Sequence, residues 1–378
     1  MMLALGLMFL GLLASRLLFW RFPLLEGDNN RAPVKKNDRL SIIIPARDEE
    51  KNLPLLLDDL KKQTVAIDEI ICVDDGSTDQ TPEIVKVFGA RLITAAEKPA
   101  GWIGKSWACQ QGSEAASGEL FLFLDADVRL SPDGIGKLLR AYETNHMVIS
   151  VLPYHRIGKK IENLSLFFNC IQFGGNGMGL PKRQDQKIDE KPASYQRSLY
   201  GPVILISRED YQRAGGHFAV KDSIVDDMAL GEKLRDKGIP FTLFLGDGDI
   251  CYRMYGGGLV DLIRGWTKNQ AAGAIKTPGV IVMLVFLWVT SCASAPFYLI
   301  FNLLAQNGLF AGGMLVFYGI WVFEVWRIAR HLGSFSLGSI LIYPVLLTFY
   351  LLIFMRSLLK RLFGQPVIWK DRKIGLEK

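Results

Sequence analysis

Apolar positions are distributed very unevenly along this chain. Residues 1–20 are almost wholly apolar, with Arg16 as their only charge, and a second apolar region runs from about Gly279 to Leu359. The stretch between, 40–278, mixes charged, polar and apolar positions as a globular segment does. In the second region, 279–304, 308–326 and 337–355 each approach the ~20 residues that a helix needs to cross a bilayer. The pattern divides the chain into an N-terminal membrane anchor (1–24), a globular domain (38–278), C-terminal membrane segments (279–359) and a basic cytosolic tail (360–378).

Inside the globular part the period changes repeatedly. Leu40–Pro45 is a short, mostly apolar run and reads as a buried parallel strand. Leu53, Leu56, Leu57 and Leu60 give 49–63 a helical period. Ile70–Val73 is a second strand, ending in Asp74-Asp75-Gly76-Ser77. Thr81 before Pro82 reads as an N-cap with a first-turn proline, opening a helix over 82–88. Ala90–Thr94 reads as a third strand, Ser106–Ser117 as a helix and Leu120–Leu124 as a fourth strand, and Ser131-Pro132 opens another helix. Alternating strands and helices predict an α/β parallel sheet, whose ligands sit beyond the carboxyl ends of the strands. Three polar clusters fall at those ends: Pro45-Ala46-Arg47-Asp48-Glu49, Asp74-Asp75-Gly76-Ser77 and Asp125-Ala126-Asp127. Residues 181–197 read as a polar surface loop, and the chain has no internal repeat.

Composition adds little to this picture and charge somewhat more. Of 378 residues, 49% are hydrophobic, and the net charge is +6. The basic residues gather near the apolar segments, which fits the positive-inside rule and anionic lipid and does not point to nucleic acid. No positive segment precedes residues 1–20 and no small-x-small site follows. The stretch therefore reads as an uncleaved anchor, with Arg16, Arg21, Arg31, Lys35 and Lys36 on its cytosolic side. Three C-terminal spans after a cytosolic domain would leave the C-terminus outside. Lys360, Arg361, Lys370, Arg372 and Lys373 argue for inside, as do Arg327, Arg330 and His331. The conflict disappears if one segment, such as 337–355 with its Pro344, is re-entrant or interfacial. The five cysteines form no metal or redox spacing and read as reduced, partly buried thiols.

Asp125 and Asp127, at i and i+2, would point to one face of an extended backbone. Paired carboxylates repel unless a cation or proton lies between them, and hard oxygen ligands suit Mg²⁺ or Mn²⁺ shared with substrate phosphates. A solvated pair at a strand end is the plainer alternative; the two neighbouring acidic clusters favour the metal. Asp75 sits in what is otherwise a tight turn; with Pro45, Arg47 and Glu49 nearby it is a candidate nucleotide contact. Gly101–Trp107 lacks phosphate-loop spacing, yet Lys105 is in reach of a diphosphate. Asp226-Asp227 open a helix ending near Lys237, either as dipole partners or with Asp227 as a general base. Leu259, Leu262, Ile263 and Trp266 form a helical stripe that reads as lying at the bilayer surface, with Trp266 an anchor and Arg264 a lipid contact or a neutraliser of the leaving group. Ile161–Leu180, with Leu164, Phe167, Phe168 and Ile171 on one helical face, suits a lipid acceptor or a core helix.

In this order the motifs resemble glycosyltransferase family 2 over about 41–270. Gly104-Lys105-Ser106, Leu152–His155, Tyr200–Val203, Arg253-Met254-Tyr255, Gly265–Lys268 and Ile368–Arg372 extend the likeness to the 4,4′-diaponeurosporenoate glycosyltransferases of bacterial carotenoid synthesis. The resemblance implies a GT-A nucleotide-sugar-binding fold with N-terminal and C-terminal transmembrane helices in the bacterial cell membrane. It also implies inverting transfer of glucose from UDP-glucose to a C30 carotenoid acid. By the same likeness Asp75 would bind uracil, Asp125 would lie near the diphosphate or ribose, Asp127 would hold the metal and Asp227 would be the base. Arg264 and Trp266 would stand in for the family's Q-x-x-R-W motif, but Gly265 separates them and the Gln is missing. A carboxylate acceptor, with an ordinary pKa near ~4, needs no base at neutral pH and would be repelled by Asp227 unless a proton is shared or His217, Arg264 or Lys268 compensates. Two other readings stand: the same chemistry on a hopanoid, sphingoid lipid or diacylglycerol, and a catalytically inactive membrane scaffold.

Overall fold

The structure, a computed structural model, describes residues 2–25, 38–181, 198–363, 367–369 and 372–374, and of 2–4, 268–276, 367–369 and 372–374 the backbone alone. The loop 181–197, apart from its first residue, lies outside the described residues. So do Arg31, Lys35, Lys36, Lys370, Asp371 and the side chain of Lys268. In chain order the elements are α1 (Met2–Leu18), β1 (Leu40–Ala46), α2 (Leu53–Lys61), β2 (Glu69–Asp74), α3 (Thr81–Phe88), β3 (Arg91–Thr94), α4 (Gly104–Ala115), β4 (Leu120–Leu124), β5 (Val128–Leu130), α5 (Gly134–Asn145), β6 (Val148–Leu152), β7 (Tyr154–His155), α6 (Leu166–Gly175), β8 (Val203–Ser207), α7 (Arg208–Ala214), α8 (Asp226–Asp236), β9 (Phe241–Leu245), β10 (Ile250–Tyr252), α9 (Leu259–Lys276), α10 (Gly279–Leu304), α11 (Gly308–Leu332), α12 (Leu337–Leu341), α13 (Tyr343–Leu362), β11 (Val367–Trp369) and β12 (Arg372–Ile374).

The chain packs as two compact units. One comprises Met1–Phe22, His155–Arg183 and Tyr255–Gln365, and the other Pro23–Tyr154, Gln184–Met254 and Pro366–Lys378. The segment 155–181 and the helix α9 thus pack with the apolar helices.

The second unit is the α/β body. Its sheet has the order β3-β2-β1-β4-β8-β6-β9. The first four strands are parallel, as expected. The expectation of an all-parallel sheet fails at β8, which runs antiparallel to both β4 and β6. Every residue of β4 and of β6 is buried, as continuous apolar runs require when both faces are covered. Packing beside the sheet, α2 contributes Leu53, Leu56, Leu57 and Leu60 to the core. It begins later than the period suggested, at Leu53 with Pro54 in its first turn. Thr81 is the first residue of α3 and Gln80 its cap.

The first unit is helical. α10 (26 residues) and α11 (25 residues) are long and apolar enough to cross a membrane, with mean hydropathy 2.1 and 1.6. α1, at 17 residues, is shorter than the ~20 of a full span. The third expected span is broken at Ile342 into the five-residue α12 and α13. α6 is buried on nearly all sides, with Leu166, Phe167, Phe168, Cys170 and Phe173 at 1% exposure or less. It is thus a core helix of this unit.

Candidate active site

Parallel register brings two of the polar clusters together. β1 and β2 pair from Ser41↔Glu69 to Ala46↔Asp74, so Arg47-Asp48-Glu49 and Asp75-Gly76-Ser77 leave the sheet side by side. The Asp75 N–H continues the ladder to the Ala46 carbonyl at 2.9 Å. Beyond that point side chains stitch the loops together. Asp48, at φ 50°, accepts from Thr78 N–H at 2.7 Å, and its own N–H donates to Ser77 Oγ at 2.9 Å. Glu49 N–H donates to Thr81 Oγ1 at 2.8 Å, and Glu50 N–H to Asp79 Oδ2 at 3.0 Å. Asp74 turns inward, 5% exposed, and takes both Ser77 N–H and Ser77 Oγ. Asp75, the neighbour, lies 3.9 Å from Arg47. Ser77, Thr78, Asp79 and Thr81 therefore form the frame that holds Asp48, Glu49 and Glu50, the residues that follow Arg47. Ser77 and Thr81 stand out in the sequence as a turn residue and an N-cap, but their bonds to Asp48 and Glu49, about 30 positions away, are visible only in the fold.

The third cluster differs from its expected shape. Asp125 N–H donates to Pro202 O at 3.0 Å and Val128 N–H to Asp125 O at 3.1 Å. Asp125–Val128 is thus a closed turn and not extended backbone, so the period-2 argument for Asp125 and Asp127 does not apply. The two carboxylates are nevertheless electrostatic neighbours. Withdrawal from water, then the charges of Asp125 and Glu49, push Asp127 up to about 8.

Opposite them stands Lys105, in the first turn of α4. Its Nζ lies 2.6 Å from Asp125 Oδ1. Withdrawal from water works against its charge, but Asp125 and Asp226 outweigh this and hold it above the ordinary lysine range. Asp226 and Asp227 open α8, as expected. Asp227 accepts Gly201 N–H on Oδ2 and Met228 N–H on Oδ1, both at 2.8 Å. Burial, then the charge of Asp226, raise it to about 6, while Lys105 pulls the other way. Lys105, Asp125, Gly201, His217, Asp226 and Asp227 line one small cavity.

Gly201 is a residue whose job is legible only here. A Cβ at that position would sit 3.1 Å from Asp227 Oδ2 and 3.2 Å from Lys105 Nζ. His217 corrects one expectation. It is 3% exposed, its Nδ1 lies 2.9 Å from Tyr211 Oη, and burial lowers it to about 4. It stays neutral near pH 7 and supplies no cation to offset an anionic acceptor.

Arg264 and Trp266 belong to the helical unit, whereas the remaining site residues belong to the α/β unit. Trp266 is 0% exposed. Its ring stacks on Phe168 at 4.6 Å, and its Nε1 donates to Ser165 Oγ at 3.1 Å. Leu262 is likewise fully buried. Trp266 and Leu262 therefore face the unit's interior, which overturns the reading of Trp266 as a bilayer-surface anchor, while Leu259, at the start of the stripe, and Arg264 are exposed. The inserted Gly265 has a cause: a Cβ there would meet the Tyr255 ring at 1.9 Å.

For a metal, the donor set available is two carboxylates on one turn. Among the described residues no group of three or more His, Cys, Asp or Glu side chains forms a metal site. Two carboxylates on one turn are hard oxygen donors, and this donor set fits a cation whose remaining ligands come from a substrate.

A family model, Glycosyl transferase family 2, matches residues 41–200. The chain is 31% identical over 375 residues to 4,4′-diaponeurosporenoate glycosyltransferase of Staphylococcus haemolyticus, covering 97% of this chain and 96% of that one. With the protein of that name from Staphylococcus aureus (strain MRSA252) it shares 32% over 343 residues, covering 90% and 89%. Among solved structures, the mannosyltransferase from Pyrobaculum calidifontis in complex with GDP-Man and Mn2+ matches with a TM-score of 0.58 at 16% identity, over 95% of this chain and 98% of that one. At that identity the likeness shows the GT-A fold alone.

Proposed function

The chain belongs to glycosyltransferase family 2 and is a glycosyltransferase; we propose that it moves a hexose, glucose first among them, from a UDP-sugar to the carboxylate of a C30 carotenoid acid. The name of its staphylococcal relatives, similar end to end, supports the acceptor. The observation that carries the chemistry is one cavity in which Lys105 faces Asp125 on one side and the Asp226-Asp227 pair on the other. A donor phosphate and an acceptor nucleophile would both be served there.

In this reading Asp75, with Arg47 beside it and Pro45 and Glu49 in the same loop, contacts the nucleotide. Asp125 and Asp127 would hold Mg²⁺ or Mn²⁺, which when bound offsets charge on the departing diphosphate. Lys105, at a helix N-terminus, adds a fixed positive charge on the same side. The displacement is in line and inverting. A hydroxyl acceptor gives its proton to Asp227, whose carboxylate is kept in place by two backbone N–H groups. A carboxylate acceptor brings no proton, so Asp227 then serves only to position, and Lys105 is the cation that offsets its repulsion. Trp266 acts at a distance by holding α9, which carries Arg264; the acceptor-side role of both rests on the family motif. Cytosolic placement of the catalytic part in a bacterial cell membrane is supported by the arginines that end α1 and α11.

The test is mass spectrometry of a membrane reaction with a panel of UDP-sugars and a carotenoid acid. One hexose added to the acid is expected. Transfer to a hopanoid or diacylglycerol but not to the acid would replace the acceptor. Absence of metal-dependent UDP binding would leave only the inactive scaffold.

A further inference from the structure

The broken third segment has anchors that fix its path within the helical unit. Its entry is tied to a polar layer: Gly333 bridges His155, Ser334 N–H donates to His155 O at 2.9 Å, and Ser336 N–H donates to Asn163 Oδ1 at 2.9 Å. Its exit returns to the same layer. Ser357 Oγ, on α13, donates to Thr267 O at 2.7 Å, next to the Trp266–Ser165 bond.

The apex lies elsewhere. Leu341 O accepts Tyr318 Oη at 2.5 Å, and Tyr343 Oη donates to Cys292 O at 3.0 Å, with the two tyrosine rings stacked at 5.3 Å. Cys292 is the middle of α10. Tyr318 is about 21 Å from the C-terminal end of α11, at 1.5 Å per residue. The turn at Ile342–Tyr343 is therefore at mid-depth of the two spanning helices, and Pro344 in the first turn of α13 suits a fresh helix start there. The hairpin also shows an apolar exterior: Leu337, Leu341, Val345, Leu352, Met355 and Leu362 are 51–70% exposed, a surface suited to lipid.

We infer that residues 333–362 are a re-entrant helical hairpin that enters and leaves the bilayer on one side, that of Arg327, Arg330 and His331. Between the short loop Ala305–Asn307 and Phe363 the chain then crosses the membrane once, through α11. Lys360 and Arg361 come out beside the other cations, and the conflict between three spans and a basic tail is removed. The inference is independent of which lipid accepts the sugar.

The decisive comparison is between positions 306 and 363 of the full chain in intact bacteria. Gln306→Cys and Phe363→Cys are each treated with a membrane-impermeant maleimide before and after permeabilisation. Wild type is the control, since the native cysteines are all buried. Opposite sidedness is expected: one variant labels in intact cells and the other only after permeabilisation. Equal sidedness overturns the hairpin, because a full third span puts both on one face. Should either thiol prove unreactive, green fluorescent protein and alkaline phosphatase fused after Lys378 and inserted at 306 give the same comparison. Fluorescence at one and phosphatase activity at the other supports the hairpin, and the same reporter working at both sinks it.

Discussion

The strand-end loops of the α/β unit and the α9 region of the helical unit carry equally suggestive residues and use them in opposite ways. At the strand ends the reactive side chains stay partly exposed, and small polar neighbours do the holding. Asp48, Ser77, Asp79 and Thr81 satisfy the backbone beside Arg47 and Asp75, whose side chains keep 19% and 13% of their surface exposed. In α9 the conspicuous residue is itself the filler: Trp266 is enclosed by Phe168, Tyr255 and Ser165. A motif residue that sits on a polar frame acts by contact; one that fills a core acts by shape. Substitutions should therefore separate the two regions by what they change first, activity or stability.

The largest separation is expected from the metal pair. Asp125→Asn and Asp127→Asn should each lower kcat/KM by about 10²–10³-fold, as loss of an electrostatic stabiliser does. Unchanged circular dichroism and loss of metal-stimulated UDP binding in titration calorimetry would accompany it. Activity within tenfold of wild type would put the cation elsewhere.

Trp266→Ala should do the reverse, costing about 3–5 kcal/mol of stability through the cavity it leaves. Thermal unfolding in detergent measures this, and Trp266→Phe should recover most of it. A Phe variant that is stable yet inactive would show that the indole touches a substrate after all.

Asp227→Asn should cost about 10²–10⁴-fold with a hydroxyl acceptor, the usual worth of a general base, and much less with a carboxylate. Equally severe losses for both acceptors would defeat that distinction. The pH profile sharpens the same point. Asp227 must be ionised to take a proton, so kcat/KM with a hydroxyl acceptor should fall as pH drops through about 6. With a carboxylate acceptor, ionised throughout that range, this limb should be absent.

The smallest effect belongs to the frame. Partial withdrawal from water works to raise Asp79, but the bonds from Thr81 and from the Glu50 N–H together outweigh it and hold the carboxyl below its usual range. A depressed value stabilises the fold above the unfolded pKa, and that contribution is lost as pH falls. Asp79→Asn should cost about 1 kcal/mol or less at pH 7, given its exposure. A raised KM for UDP-glucose with unchanged kcat would follow in initial-rate measurements.

Much of the sheet edge that carries the candidate site was legible because its signals are local. Continuous apolar runs named β1, β2 and β4, and the acidic residues at their ends are the candidate site residues. What was not legible depends on distant partners. Nothing in the apolar run of β8 tells that it will lie antiparallel between β4 and β6. The DxD segment looks extended until Pro202, some 77 positions on, takes the Asp125 N–H. The helical period of α9 was correct, but period alone does not say whether its apolar face meets lipid or protein; Phe168 and Tyr255 decide that. His217 read as a cation in reserve, and only its enclosure shows it neutral.

The buried contact between α1 and α11 bears on biosynthesis. Ser15 donates to Glu324 at 2.9 Å across 309 positions, and Arg16 lies 3.2 Å from the same carboxylate. At ~5–20 residues per second of translation, α1 leaves the ribosome about 15–60 s before that partner exists. For that interval it must be retained on its own apolar character, with Arg16 held in the headgroup layer. Glu324→Gln should consequently register in pulse-chase proteolysis, as a longer protease-sensitive phase of the newborn chain, before it registers in any assay of the finished enzyme.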